Sequence, residues 1–222
     1  MDTPDVLSRS VLHAQELLAA RFDNARAMSR TPGQPRKGFE QIDTSLAMAS
    51  KHLGAVEAAV LPVVRKQVRD GAHLVHEYLR AARELELALA HVKAREYGSV
   101  FQARRSWQSV WSDVVTALDE QRRRELELVS MLAARLDAPT LDALTERLYR
   151  AEAAAPSRPH PYAPHTGLRG AVARRVMHLA DAFWDAAEGR MVPEPERPEH
   201  KAPGRMGQYL LADPRFDEEP PP

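Results

Sequence analysis

From Trp107 to Leu136 the chain repeats at alternating steps of four and three residues: Trp107, Trp111, Val114, Leu118, Gln121, Glu125, Leu128 and Leu132. This is the heptad seam of one long helix, the face that such a helix turns toward its neighbours. Two seam positions, Gln121 and Glu125, are polar and stand one turn apart. An unpaired polar group in a core costs a few kcal/mol and an unpaired charge more, so Glu125 requires a partner.

The same spacing predicts the remaining helices. Thr3, Pro4 and Asp5 suit a helix start: a capping hydroxyl, a proline in the first turn, then an acid. Leu7, Val11, Ala14, Leu18 and Ala25 carry that helix to about Met28, with His13 off the stripe and expected in solvent. Residues 31–38 have linker composition. A second helix is expected over 39–68, its seam Ile42, Leu46, Ala49, Leu53, Val56, Val60 and Val63, with Pro62 kinking it. After a break at Asp70 and Gly71, a third over 72–97 has the seam Val75, Tyr78, Ala82, Leu85, Leu89 and Val92. Asp137-Ala-Pro139 ends the long helix, and a short one over 141–153 turns Leu144 and Leu148 inward.

Four prolines within residues 156–167 exclude regular helix there. His160 and His165 on that stiff segment are either a ligand pair or braces for the loop. A last helix over 168–188 has Leu168, Val172, Val176, Leu179, Phe183 and Ala187 inward, with His178, Asp181 and Asp185 off the seam. Residues 190–222 hold 8 of the 17 prolines and read as an extended tail.

No strand periodicity competes with this pattern. The expected fold is all-α: an antiparallel four-helix bundle built from 39–68, 72–97, 102–136 and 168–188. The N-terminal helix and the short helix pack outside it, and the Pro-rich C-terminal tail extends from it. The expected organisation is an N-terminal helix and linker over 1–35, a bundle over 36–189 and a tail over 190–222.

Charge adds little direction. Lys plus Arg equals Asp plus Glu at 31 each, so no global field points to nucleic acid or an anionic membrane. Without cysteine there is no disulfide framework, thiolate zinc site or iron–sulfur cluster. The start MDTPDVLSRS lacks the apolar region of a signal peptide, and no apolar run approaches the ~18 residues that span a bilayer. The expectation is a cytoplasmic protein. No glycine-rich phosphate loop or nucleophile elbow stands in the sequence, so an enzyme of those classes is disfavoured.

Several residues have metal-ligand chemistry. His52 and Glu57 flank the second seam about 140° apart on a helical wheel, so they cannot clasp one ion from the same side. His73, His76 and Glu77 have ligand spacing, yet they project with Glu84 and His91 away from the third seam, as a solvated stripe.

Three stretches carry a family resemblance. Met48-Ala-Ser-Lys-His52-Leu-Gly-Ala-Val-Glu57-Ala-Ala-Val-Leu-Pro62, Gln121-Arg-Arg-Arg-Glu125 and Arg158-Pro-His-Pro-Tyr-Ala-Pro-His165-Thr-Gly look like segments of a hemerythrin-type (HHE cation-binding) domain of a divergent actinobacterial kind. The resemblance covers about residues 36–192 and implies a bundle with a non-haem iron site. That site in the family resembles about five histidines and two carboxylates. Carried over, Glu125 is a bridging carboxylate, His52 an imidazole ligand, and Glu57 and Gln121 their neighbours.

This sequence departs from the pattern at two places. Val56 stands where an acid falls four residues after the histidine, and Gln121 stands where a histidine precedes Glu125. The implied site is therefore partly degenerate. Two functions remain open: a cation-binding, hemerythrin-like bundle, or a metal-free structural or regulatory bundle derived from one. The second would take a protein partner or associate with itself. In it Glu125 and Gln121 hydrogen-bond across the core and fix helix register.

Overall fold

The computed structural model describes residues 5–28, 38–96 and 105–155. The expectations for the stretch with His160 and His165, for 168–188 and for the tail over 190–222 fall outside these residues. Among the described residues the structure is helical, with no strand: α1 Val6–Ala27, α2 Phe39–Ala59, α3 Leu61–Gln67, α4 Gly71–Glu96, α5 Trp107–Ala133 and α6 Ala138–Ala153.

Local chemistry sets the ends. The α1 cap falls to Asp5, whose carboxylate accepts from Ser8 N at 2.9 Å, rather than to Thr3. The single helix expected over 39–68 is broken at Val60 into α2 and α3, with Pro62 in the first turn of α3. Proline has no N–H to continue the ladder, which explains the break. Asp70 takes a left-handed conformation at φ 56° before α4 begins. A Cβ on Gly71 would lie 2.3 Å from the Val64 carbonyl oxygen, so only glycine fits that approach. Asp137 and Pro139 do more than end α5: Asp137 caps α6 by accepting from Thr140 N, and Pro139 lies in the first turn.

The seam of α5 is buried as expected from Trp111 through Leu132, Gln121 and Glu125 included. Trp107, a seam position expected to be largely buried, is only partly covered. It stacks on Trp111 at 6.4 Å and lies beneath the Arg95 guanidinium. On α4 the seam residues are buried and His73, His76 and Glu84 are exposed. Glu77 and His91, expected in solvent, are half-buried, because Glu77 pairs with Arg80 and Arg124 and His91 meets Arg105. His13 is half-buried as well.

The largest difference from the sequence pattern concerns α1. It packs on α2, α5 and α6, and Leu7, Val11, Leu18, Phe22 and Ala25 join the same hydrophobic core as α2, α4 and α5. The N-terminal helix therefore belongs to the core of the bundle instead of lying outside it. α4 packs chiefly on α5, and α6 on α2.

α2 lies at the centre and is buried on most of its surface, from Ile42 through Ala59. Alanines and serines on it admit close neighbours. Its buried hydroxyls bond back to the preceding turn, Ser45 to Gln41 O and Ser50 to Leu46 O. By length and composition the stretch Phe39–Gln67 could cross a membrane, although no such run was expected from the sequence. In the fold, 72% of its most apolar window is buried inside the bundle, which accounts for its apolar surface without a bilayer.

Candidate functional site: a buried carboxylate–imidazole network

Glu125 is fully buried, and side chains from α1, α2 and α5 converge on it. From α2, His52 Nε2 stands 2.9 Å from Glu125 Oε1. From α1, Gln15 Nε2 donates to Glu125 Oε2 at 2.7 Å and to Gln121 Oε1 at 3.0 Å. Gln121, one turn before Glu125 on α5, donates to Oε2 at 2.5 Å and to the Tyr78 hydroxyl of α4 at 3.2 Å. Both carboxylate oxygens are thus met by N–H donors, which is how a buried charge becomes tolerable.

Behind the imidazole, Glu152 of α6 places Oε1 3.6 Å from His52 Nδ1. His52 therefore lies between two carboxylates, one fully buried and one with a 15% exposed side chain. Burial alone would drive the imidazole toward its neutral form. The charge of Glu125, its hydrogen bond and the smaller effects of Glu152 outweigh that, and the pKa of His52 is raised well above 6.5. The shift favours the protonated ring, the form that donates from Nε2 to Glu125. Burial likewise raises the Tyr78 hydroxyl well above its ordinary value, with the charges of Glu125, Glu57 and Glu86 adding to it. Tyr78 stays neutral and can accept from Gln121.

The four candidate metal-site residues are all buried, and three of them meet: His52, Gln121 and Glu125. Glu57 is buried on α2 about 140° around the helix from His52, and its charge acts on the Tyr78 hydroxyl that accepts from Gln121. Among the described residues no group of three or more His, Asp or Glu side chains gathers where it could hold a metal ion. One carboxylate and one imidazole meet at Glu125, and two amide N–H groups occupy the direction from which a cation would approach Oε2. Among the described residues these donors are by themselves too few for a two-iron centre, which requires several imidazoles and carboxylates with free lone pairs.

Two members of the network escaped the sequence analysis. Gln15 was passed over for Ala14, yet Val11, Gln15, Leu18, Phe22 and Ala25 are themselves spaced by four and three. Glu152 stands one turn beyond Leu148 on the inward face of α6. In both cases a polar residue on an apolar seam was the available signal, the same signal that singled out Glu125.

Beside His52 lies a cleft of about 20 Å³ between α1, α2 and α6, bordered by Ser10, Ala14, Met48, Tyr149 and Glu152 among others. It is the size of a water molecule rather than of a substrate. Comparison of the chain with protein-family models, curated proteins and solved structures finds no match.

Proposed function

We propose that this chain is a hemerythrin-like helical bundle in which a His52–Glu125 ion pair has replaced a metal centre, and that it serves as a structural or interaction module rather than as a catalyst. The supporting observation is the arrangement at Glu125: His52 on one oxygen, and the amides of Gln15 and Gln121 on the other. Both oxygens of Glu125 are thereby engaged inside the core. A network that requires one partner from each of α1, α2 and α5 fixes their relative register, a role in which buried polar groups are well attested.

The cation-binding reading keeps one point in its favour. Glu152 stands behind His52 Nδ1, and a carboxylate on the second nitrogen is the usual support of a metal-bound imidazole. In that reading the amides turn and Glu125 and His52 each offer a lone pair to one ion.

Metal analysis of protein purified without a histidine tag separates the two. The ion-pair reading expects far less than one metal per chain, before and after incubation with ferrous or zinc salts. It also expects Glu125→Gln to lower stability with no change in metal content. Stoichiometric metal that Glu125→Gln abolishes would replace this reading with the cation-binding one.

A further inference from the structure

We propose that Asp43 of α2 and Glu96 of α4 share one proton beside Lys93, forming a clasp between the two helices that closes when the proton is held and loosens when it is lost. The three side chains meet where α2 begins and α4 ends. Lys93 Nζ bonds to Asp43 Oδ1 and stands 3.5 Å from Glu96 Oε2. The Glu96 side chain is fully buried, and neither of its oxygens is met by a hydrogen-bond donor. Two carboxylates around one ammonium leave these three groups with a net negative charge when all are ionised. Holding that charge away from water is costly. One proton removes it and gives the carboxyl that takes it a donor for the other.

The surroundings assign the proton to Glu96. It is the last residue of α4, where the helix dipole opposes an anion, whereas Asp43 lies one turn into α2, toward the end that tolerates one. The Asp43 side chain is also 15% exposed. Burial above all, and then the charge of Asp43, raise the Glu96 carboxyl to about 7, with Lys93 opposing. Asp43 further acts on it through a hydrogen bond, which two carboxylates form only with a proton between them. Among the described residues the other charges at this end stand elsewhere. Arg95 lies over Trp107, Arg105 pairs with Asp113 and meets His91, and Arg21 and Glu40 border a cleft between α1 and α2.

With the proton in place, the Glu96 O–H donates to Asp43, Asp43 keeps its bond to Lys93, and the group is neutral. When the proton passes to solvent, two anions face each other around a single ammonium. Asp43 and Lys93 already reach water in part, so hydration relieves the repulsion once the end of α4 draws away from α2. A carboxyl raised from 4.5 to about 7 therefore holds the helices together at mildly acidic pH, and the hold is lost as pH climbs through about 7. The clasp stands apart from the His52–Glu125 network and does not rest on the function proposed for it.

Carbon-detected NMR of the side-chain carboxyls, with amide hydrogen exchange, tests this on the full chain between about pH 5 and about pH 8.5. Glu96 is expected to titrate near about 7. Over the same interval, amide protection in the last turn of α4, corrected for the intrinsic pH dependence of exchange, should fall at least about tenfold. Glu96→Gln keeps an N–H donor toward Asp43 at every pH, so protection there should change by less than about twofold. Asp43→Asn removes the neighbouring charge and should lower the Glu96 midpoint by at least about one pH unit.

A Glu96 midpoint at or below about 5 on the unmodified chain would overturn the proposal even if neither variant folds. Protection at the end of α4 that ignores pH, or that falls as far in Glu96→Gln, would overturn it too. The same holds for a Glu96 midpoint left in place by Asp43→Asn.

Discussion

Gln15 and Glu125, 110 positions apart in the chain, are joined by a buried 2.7 Å hydrogen bond that ties the N-terminal helix to the central seam of α5. Gln15→Leu keeps the volume roughly and removes both amide donations, to Glu125 and to Gln121. The expected loss is about 1–3 kcal/mol, the cost of leaving buried acceptors short of a donor. Urea denaturation measures it, and an unchanged midpoint would mean that α1 is held by apolar contact alone.

Glu125→Gln leaves the shape and removes the charge. An imidazolium would then face a neutral amide in the core, and breaking a buried pair from one side costs about 3–5 kcal/mol. Adding His52→Gln should recover part of this, because the stranded charge is gone. A double-mutant cycle on the unfolding free energies tests the point, and strict additivity would show that the two groups are not coupled.

Stability should fall as pH rises above neutrality. The folded-state pKa of His52 is raised well above 6.5, so its contribution is complete below about 6.5 and is lost as pH climbs through the folded value. Glu96 acts in a lower window. Burial, with Asp43 adding and Lys93 opposing, lifts its carboxyl from 4.5 to about 7, so its contribution is lost between those values. His52→Asn should flatten the alkaline limb of denaturation midpoint against pH and leave the Glu96 window in place. An alkaline slope that survives His52→Asn would have to come from another group.

The two tryptophans of the α5 seam should differ. Trp111 is 3% exposed and meets Phe22 at a ring distance of 6.2 Å. Trp111→Ala should cost about 3–5 kcal/mol, and Trp107→Ala less, because Trp107 is only partly buried. Chemical denaturation of both variants checks the order, and equal losses would contradict the assigned face.

The helices themselves were legible because apolar spacing of three and four has a single geometric meaning, and Pro62 announced its own break. Glu125 was legible for a related reason: a charge on an apolar seam demands a partner. Which partner it takes was not legible. Hydrogen bonds between helices depend on which faces meet, and the sequence pattern left α1 outside the core. Choosing Ala14 over Gln15 for the stripe concealed the residue that contradicts that placement. Glu57 shows the limit from the other side. The family resemblance made it a neighbour of His52, whereas it stands about 140° around the helix (five residues' worth) and its charge acts on Tyr78.

The protonation state of His52 decides the central claim. Long-range ¹H–¹⁵N correlation of the imidazole in untagged protein, near neutral pH, reports it directly. The ion-pair account predicts both ring nitrogens protonated, with Nε2–H in a strong hydrogen bond that Glu125→Gln weakens. A neutral ring, or one nitrogen shifted by a bound metal and restored on chelation, would contradict it.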